Sequence, residues 1–263
     1  MARSGLSNIK KLIDNSKKSL PPEQEFVADL KRSIEMTLDK NKGTPSNYYK
    51  PSGMKCIRAM YYVRTEAPLD DTGSSYMSWG ICNSGTDTHE RVQKAVDEMK
   101  LNGIDCEYID VAEFVRQREL NHLTIVSKNG METKLRDERL KISFLCDGII
   151  RYKNHYYILE LKTETASKWY NREGVDPSHY NQATAYALAF GIDEVLFVYI
   201  SRDVLDMKAF MFNVTDEMKE SLVGYIEDCN GYVDRQIPPP KPETVTKKAC
   251  SYCIYKTQCQ KDG

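Results

Sequence analysis

The eight cysteines of this 263-residue chain are spaced so that they restrict how its two ends can run. Three of them, Cys250, Cys253 and Cys259, stand in the segment ACSYCIYKTQC, a C-x2-C-x5-C pattern. They follow IPPPKP (237–242), a run through which a helix cannot continue. Three soft ligands so close together make an incomplete site, because a tetrahedral zinc ion or a cubane cluster takes four thiolates. The fourth has to come from elsewhere. Cys56 stands alone near the start, and Cys82 is the alternative. Cys106 and Cys229 have no such pattern around them, and Cys146, in the apolar run FLCDGII, reads as a small packing residue. Joining the ends through metal closes a loop of about two hundred residues, which removes unfolded-state entropy and couples metal binding to folding.

No apolar run approaches the roughly 20 residues that cross a bilayer. The start, MARSGLSNIKKLIDNSKK, lacks the continuous apolar stretch of a secretory signal. The expectation is therefore a cytoplasmic chain with no membrane partner, in a reducing environment where cysteines serve as thiols or metal ligands. The net charge of −1 says nothing for nucleic acid by itself. Its distribution says more. Residues 1–55 hold eleven Lys and Arg against six acids, and residues 237–263 hold five against two. If the cysteines bring the ends together, two basic segments become neighbours and attract phosphate. The plainer reading is that runs such as Lys10–Lys11 and Lys17–Lys18 are solvated helix faces, and both readings stand at this point.

Hydrophobic periodicity predicts helices over 5–18 and 22–40, the second with Phe26, Leu30, Ile34 and Leu38 at i+4 spacing. Ser52 is placed to cap a helix through MKCIRAMYYVR, with Cys56 in its first turns. Residues 66–78 are turn-rich, and a helix is expected over 84–101. The period then changes to two, and 107–116, 122–127, 131–136, 140–152 and 155–162 read as strands, with Lys153–Asn154 as a tight hairpin turn. Residues 176–191 form a helix with Asp176 or Ser178 as its start and Gly191 as its stop. Strands over 194–201 and 207–214 and a helix over 215–236 complete the series. There is no internal repeat. This order predicts an α/β domain with a mixed central sheet, wrapped by an N-terminal helical region (1–83), a core (84–214) and a C-terminal helix with the cysteine segment (215–263).

The core carries a second constellation. Asp147 lies in the apolar strand FLCDGII, before a glycine that lets another chain approach. Glu160 and Lys162, two apart in YYILELK, point to one face of a strand, while Leu161 points to the other and still offers its carbonyl. A hairpin between the two strands brings both carboxylates to one hard cation, with the ammonium beside them to hold the attacking water or neutralise charge. A surface salt bridge is the competing reading of E-x-K. Charged groups inside two apolar strands require a reason that it does not supply.

With Asp147 as the aspartate and Glu160-Leu161-Lys162 as E-x-K, the pattern resembles the PD-(D/E)xK nuclease superfamily. GTDTHERVQ (85–93) is similar to the histidine motif of its RecB-type branch, and HYNQATAYALAFG (179–191) to that branch's Q-x3-Y motif. The resemblance implies a restriction-endonuclease-like fold. It makes His89 a metal ligand beside Asp147, Glu160 and the Leu161 carbonyl, and it gives Gln182 and Tyr186 the task of supporting the lysine or touching DNA. Glu90 and Glu138 are weaker acidic candidates that solvent-facing charge explains equally well.

YYKPSGMKCIRAMYY resembles the N-terminal cysteine segment of the cluster-bearing RecB-type nucleases, a group that includes the AddB nuclease domain and the small CRISPR-adaptation exonucleases. In that group one cysteine precedes the core and three follow it. The resemblance thus implies Cys56, Cys250, Cys253 and Cys259 as ligands of a [4Fe–4S] cluster, with Zn2+ as the rival metal. The function it implies is a Mg2+- or Mn2+-dependent deoxyribonuclease, an exonuclease on single-stranded or frayed ends in recombination, repair or CRISPR-type DNA processing. A helicase or recombination partner is expected, since the chain has no helicase motif, and a homo-oligomer is compatible with it. Two alternatives from other classes are a non-catalytic DNA-binding or assembly protein on the same scaffold, and a zinc-knotted binding module.

Overall fold

The computed structural model describes residues 21–40, 46–70 and 75–263; the helix expected over 5–18 lies outside them. The chain divides into two compact units. Among the described residues, one takes in 21–40 and 75–81 and the other 46–70 and 82–263. In the first, helix α1 (Pro22–Lys40) opens on proline with Glu23 and Glu25 in its first turn, where acidic side chains favour the helix dipole. Glu35 accepts the Tyr76 amide at 3.2 Å, and Lys31 stands 4.5 Å from the Tyr76 ring.

The second unit holds the sheets. Residues 46–70, including helix α2 (Ile57–Arg64), belong to it. Cys56 is not in the first turns of α2 but at its N-cap position, with extended backbone and no side-chain cap bond, so the thiol is left free. The cause is a 3-10 turn at Pro51–Gly53, which uses up the segment Ser52 was expected to cap. Helix α3 (Tyr76–Glu98) starts earlier than its pattern suggests.

β1 (Cys106–Ile109) stops short of the expected 107–116, because Asp110 caps a new helix, α4 (Val111–Gln117). Its carboxylate accepts the Glu113 amide at 2.9 Å. D-x-x-E is a helix-start signal, and here it outweighs the alternation that follows it. β2 (Leu123–Asn129), β3 (Glu132–Asp137) and β4 (Ile142–Cys146) form a three-stranded antiparallel sheet. β5 (Gly148–Tyr152) and β6 (His155–Glu164) follow. Their turn, Lys153–Asn154, is left-handed at both residues (φ 48° and 64°), the geometry that matches strand twist in a two-residue hairpin. After helix α5 (Ala166–Tyr170) and a 3-10 turn at Pro177–His179 come α6 (Tyr180–Phe190), β7 (Glu194–Ser201), β8 (Met207–Asn213) and α7 (Asp216–Arg235). Asp176 accepts the Ser178 amide at the start of this stretch, and Gly191 ends α6 at φ 67°. Two short helices, α8 (Lys247–Ser251) and α9 (Lys256–Lys261), carry the C-terminal cysteines.

The five-stranded sheet has the order β1-β5-β6-β7-β8, with β6 and β7 parallel and the other pairs antiparallel. This is the mixed, helix-flanked α/β architecture that the element order predicts, and it is consistent with the restriction-endonuclease-like fold that the resemblance implies. The span 140–152 is not one strand. It leaves one sheet as β4 and enters the other as β5, and Asp147 is the residue between them.

Period-2 alternation divides the core. Leu159 and Leu161 point to one face of β6, against Val92 and Val96 of α3 and Met99 just beyond its end. Ile158 lies in the larger core on the other face, where α6 is buried along nearly its whole length. The small side chains of Ala183, Ala185, Ala187 and Ala189 admit α6 close to the sheet, and Phe144 meets Phe190 edge-on at 5.8 Å. No helix among the described residues is long and apolar enough to cross a membrane.

Candidate active site and cysteine pocket

Asp147 is held from three sides. Its carbonyl accepts hydrogen bonds from Gln93 Nε2 and from the Tyr108 hydroxyl, both at 2.7 Å. Its Oδ2 accepts the Leu161 amide at 2.7 Å, so Oδ1 is the oxygen left to face the site, 3.2 Å from His89 Nδ1. The glycine that follows is required by Tyr108: a Cβ on Gly148 would stand 2.6 Å from that ring. The β5–β6 ladder ends at Gly148–Leu159, two residues before Leu161. A strand residue's N–H and C=O point to the same edge, so the Leu161 carbonyl is directed beside Asp147, beyond the end of the ladder.

Glu160 is 3% exposed. Its Oε1 receives Lys162 Nζ and Gln182 Nε2, the latter at 2.7 Å. Its Oε2 is buried and has no hydrogen-bond partner among the protein atoms. Such an orphan costs about 1–3 kcal/mol, more if charged, unless something fills the gap. Burial pushes the carboxyl up to about 7, with Lys162 opposing the rise and Asp147 adding to it.

Gln182 and Tyr186 are buried on α6, and their polar atoms are taken up inside the protein. Gln182 Oε1 accepts from Lys162 at 3.0 Å, its Nε2 donates to the Tyr186 hydroxyl at 2.8 Å, and that hydroxyl donates to the Leu145 carbonyl at 2.8 Å. Of the two tasks the sequence allowed them, this arrangement suits support of Glu160 and Lys162 rather than contact with a strand.

One acid is additional to those singled out in the sequence. Glu132, at the start of β3, brings Oε1 to 3.9 Å from His89 Nδ1. His89, Glu132 and Asp147 each place a ligand atom within 4.8 Å of the others. Burial alone would push His89 down. Its hydrogen bond to Asp147 and the charges of Asp147, Glu160 and Glu132 more than offset that and raise it. Glu132 is itself raised by burial and by Asp147. The local sequence, NGMET, carries only a turn signal. Glu138 is bound to Tyr48 and Lys141 instead, and Glu90 is exposed. A surplus of carboxylate around one imidazole, together with the orphaned oxygen, fits a hard divalent cation.

Cys56, Cys250, Cys253 and Cys259 line one pocket of about 530 Å³; Cys82 does not line it. Burial pushes the Cys253 thiol up, and the nearby Cys56, Cys259 and Cys250 add to the rise. Arg58, 5% exposed, ties the region together: it donates to the Pro239 carbonyl at 2.6 Å, the Gly263 carbonyl at 2.7 Å and Cys259 Sγ at 3.7 Å. The Tyr62 hydroxyl donates to Asp262 at 2.7 Å. Lys55, Lys241, Lys247 and Lys256 line the same pocket, and among the described residues no acidic side chain does. Four thiols among cations fit a thiolate-bound metal centre, since the cations offset the charge of ionised sulfur.

No protein-family model and no curated protein matches the chain. Among solved structures, SSO0001 is 17% identical with a TM-score of 0.48, covering 91% of this chain and 98% of that one. The alkaline exonuclease LHK-Exo from Laribacter hongkongensis is 10% identical with a TM-score of 0.39, covering 73% and 90%.

Proposed function

We propose that the chain is a DNA nuclease that binds Mg2+ or Mn2+ through Asp147, Glu160, His89 and the Leu161 carbonyl, with Glu132 as a further donor. The observation that carries this reading is the buried, unpartnered Oε2 of Glu160 in a site where a second carboxylate and an imidazole converge. When bound, such a cation supplies an acidified water and neutralises charge on phosphate oxygens. Lys162, held by Glu160 and Gln182, is placed to orient that water or to donate to the phosphate. Gln182 and Tyr186 hold the pair in place. Action on single-stranded or frayed ends, in recombination, repair or CRISPR-type processing, follows from the RecB-type resemblance of the motifs.

The proposal extends to a [4Fe–4S] cluster at Cys56, Cys250, Cys253 and Cys259. Its support is the shared pocket, its cationic lining and the one-plus-three order of the thiols. Its role is to hold the C-terminal segment against α2.

Digestion of end-labelled oligonucleotides by anaerobically purified protein, with Mg2+, with Mn2+ and with EDTA, tests the first part. Metal-dependent cleavage is expected. Binding without cleavage under every condition favours a non-catalytic DNA-binding protein instead. Brown protein with iron and acid-labile sulfide is expected for the second part, and colourless protein with stoichiometric zinc would replace the cluster by that ion.

A further inference from the structure

His179 is absorbed by none of the roles above, yet it stands on the catalytic face of the sheet. In the parallel β6–β7 pair, Glu160 is opposite Phe197 and Lys162 is opposite Tyr199, so these four side chains share one face. The His179 ring lies over the continuation of that face. It is stacked on Phe197 at 5.9 Å and 11° and on Tyr199 at 6.0 Å and 22°.

The proton on this imidazole is assigned by its neighbours. Tyr199 is buried, and its hydroxyl oxygen already accepts the Asp176 amide at 3.0 Å. Among the described residues, the remaining hydrogen-bond partner of that hydroxyl is His179 Nδ1 at 3.0 Å, to which its hydrogen can be donated. A nitrogen that accepts there leaves the ring's own proton on Nε2. The frame behind this bond is rigid. Arg172 lies 4.1 Å over the Tyr199 ring and is clamped by both oxygens of buried Glu164 at 2.7 and 2.9 Å. The same guanidinium reaches Asp176 at 3.3 Å. Glu164 is two residues beyond Lys162 on β6, so the strand that carries the lysine also anchors the frame that orients the histidine.

We infer that His179 is a substrate-binding residue whose Nε2–H donates to a non-bridging phosphate oxygen of the strand held at Lys162. This rests on the nuclease reading and adds a contact to it. Burial pushes His179 down to about 4, with the charges of Lys162 and Lys55 adding to the fall and Asp176 opposing it. The donor is therefore neutral at working pH. It orients a phosphate without adding a positive charge that would compete for the carboxylates.

The test uses the full chain, a 5′-labelled single-stranded oligonucleotide and Mn2+. His179→Phe keeps the stacked ring and removes the N–H, while His179→Gln keeps a donor at similar reach. A loss of about tenfold in kcat/KM, chiefly in KM, is expected for the phenylalanine variant, with recovery in the glutamine variant. A methylphosphonate scan of the same oligonucleotide provides an independent reading. One neutralised phosphate should weaken binding by wild type and by His179→Gln, and should cost His179→Phe nothing further. If His179→Phe does not fold, His179→Asn, whose amide is too short to reach, replaces it in both measurements. Equal impairment of the phenylalanine and glutamine variants, or wild-type KM in both, overturns the inference. Wild-type protein that neither binds nor cuts the oligonucleotide overturns the nuclease reading itself, so the two failures are distinguishable.

Discussion

The carboxylate site and the cysteine pocket are built in opposite ways. The first stands on strands whose ladders are complete without an ion: Asp147 is fixed by Leu161, Gln93 and Tyr108, and Glu160 by Lys162 and Gln182. The second gathers an N-cap residue and three positions on or between five- and six-residue helices, held by Arg58, Tyr62 and a few backbone contacts. Helices so short have little stability of their own. On the proposed function, the first site sets its chemistry on a scaffold that other contacts maintain, whereas metal at the four thiols would complete the packing of the C-terminal segment. Removing a ligand from each should therefore give opposite results.

The largest contrast is between Glu160→Ala and Cys253→Ala. Glu160→Ala should lower cleavage by about 10³-fold or more while circular dichroism and iron content stay at wild-type values, because the strand pairings around it are made by backbone groups and not by that carboxylate. Retained cleavage would remove Glu160 from the chemistry. Cys253→Ala should yield insoluble or iron-free protein if the proposed cluster is coupled to folding. Normal iron content in that variant would take Cys253 out of the ligand set.

A smaller effect sharpens the comparison inside the first site. Tyr186→Phe leaves the ring in the core but cuts the line from Leu145 through Gln182 to Glu160 and Lys162. The expected loss is about 10–100-fold in kcat with KM little changed, the usual size for a group acting on those that hold the metal. A rise in KM alone would indicate strand contact instead.

The smallest effect concerns stability against pH. The folded-state value of Glu160 is raised, so the fold favours the protonated carboxyl. That contribution is fully present below the ordinary carboxylate value and is lost as pH rises from about 4.5 to about 7. In EDTA, Glu160→Gln should therefore melt higher than wild type at pH 8, by roughly 2–8 °C, and the gap should close below pH 4.5. Scanning calorimetry at both pH values checks it. An equal gap at both would mean that the carboxyl is not desolvated. Added Mn2+ should narrow the gap at pH 8 by stabilising wild type more than the variant, which lacks one carboxylate donor.

Much of the first site was legible along the chain because its parts are local. Glu160 and Lys162 share a face by strand period, Lys153–Asn154 announced the hairpin, and Gln182 and Tyr186 are one helical turn apart. Glu132 was not legible, since its meeting with His89 depends on how the end of a second sheet approaches α3, and spacing does not encode that. The break at Asp147 was hidden for a related reason. Apolar alternation runs straight through 142–152, and only the assignment of β4 and β5 to different sheets interrupts it. Residues 107–116 were misread because Asp110 and Glu113 start a helix inside an alternating pattern. His179 gave no local signal, as its partners lie about twenty residues away on β7.

By itself the sequence determined most of the longer elements, the alternating faces of the β6 strand, and the chemistry available at each position, because these follow from periodicity and side-chain identity within a few residues; it did not determine which face of α1 is buried, since Phe26 and Leu30 are exposed. The tertiary structure alone decided which acids surround His89, which oxygen of Glu160 is left without a partner, that His179 stacks on Phe197 and Tyr199, and that Cys56 shares a pocket with three thiols about two hundred residues away. Those are outcomes of packing between distant segments, where ångström-scale approach sets the energy and no short pattern records it.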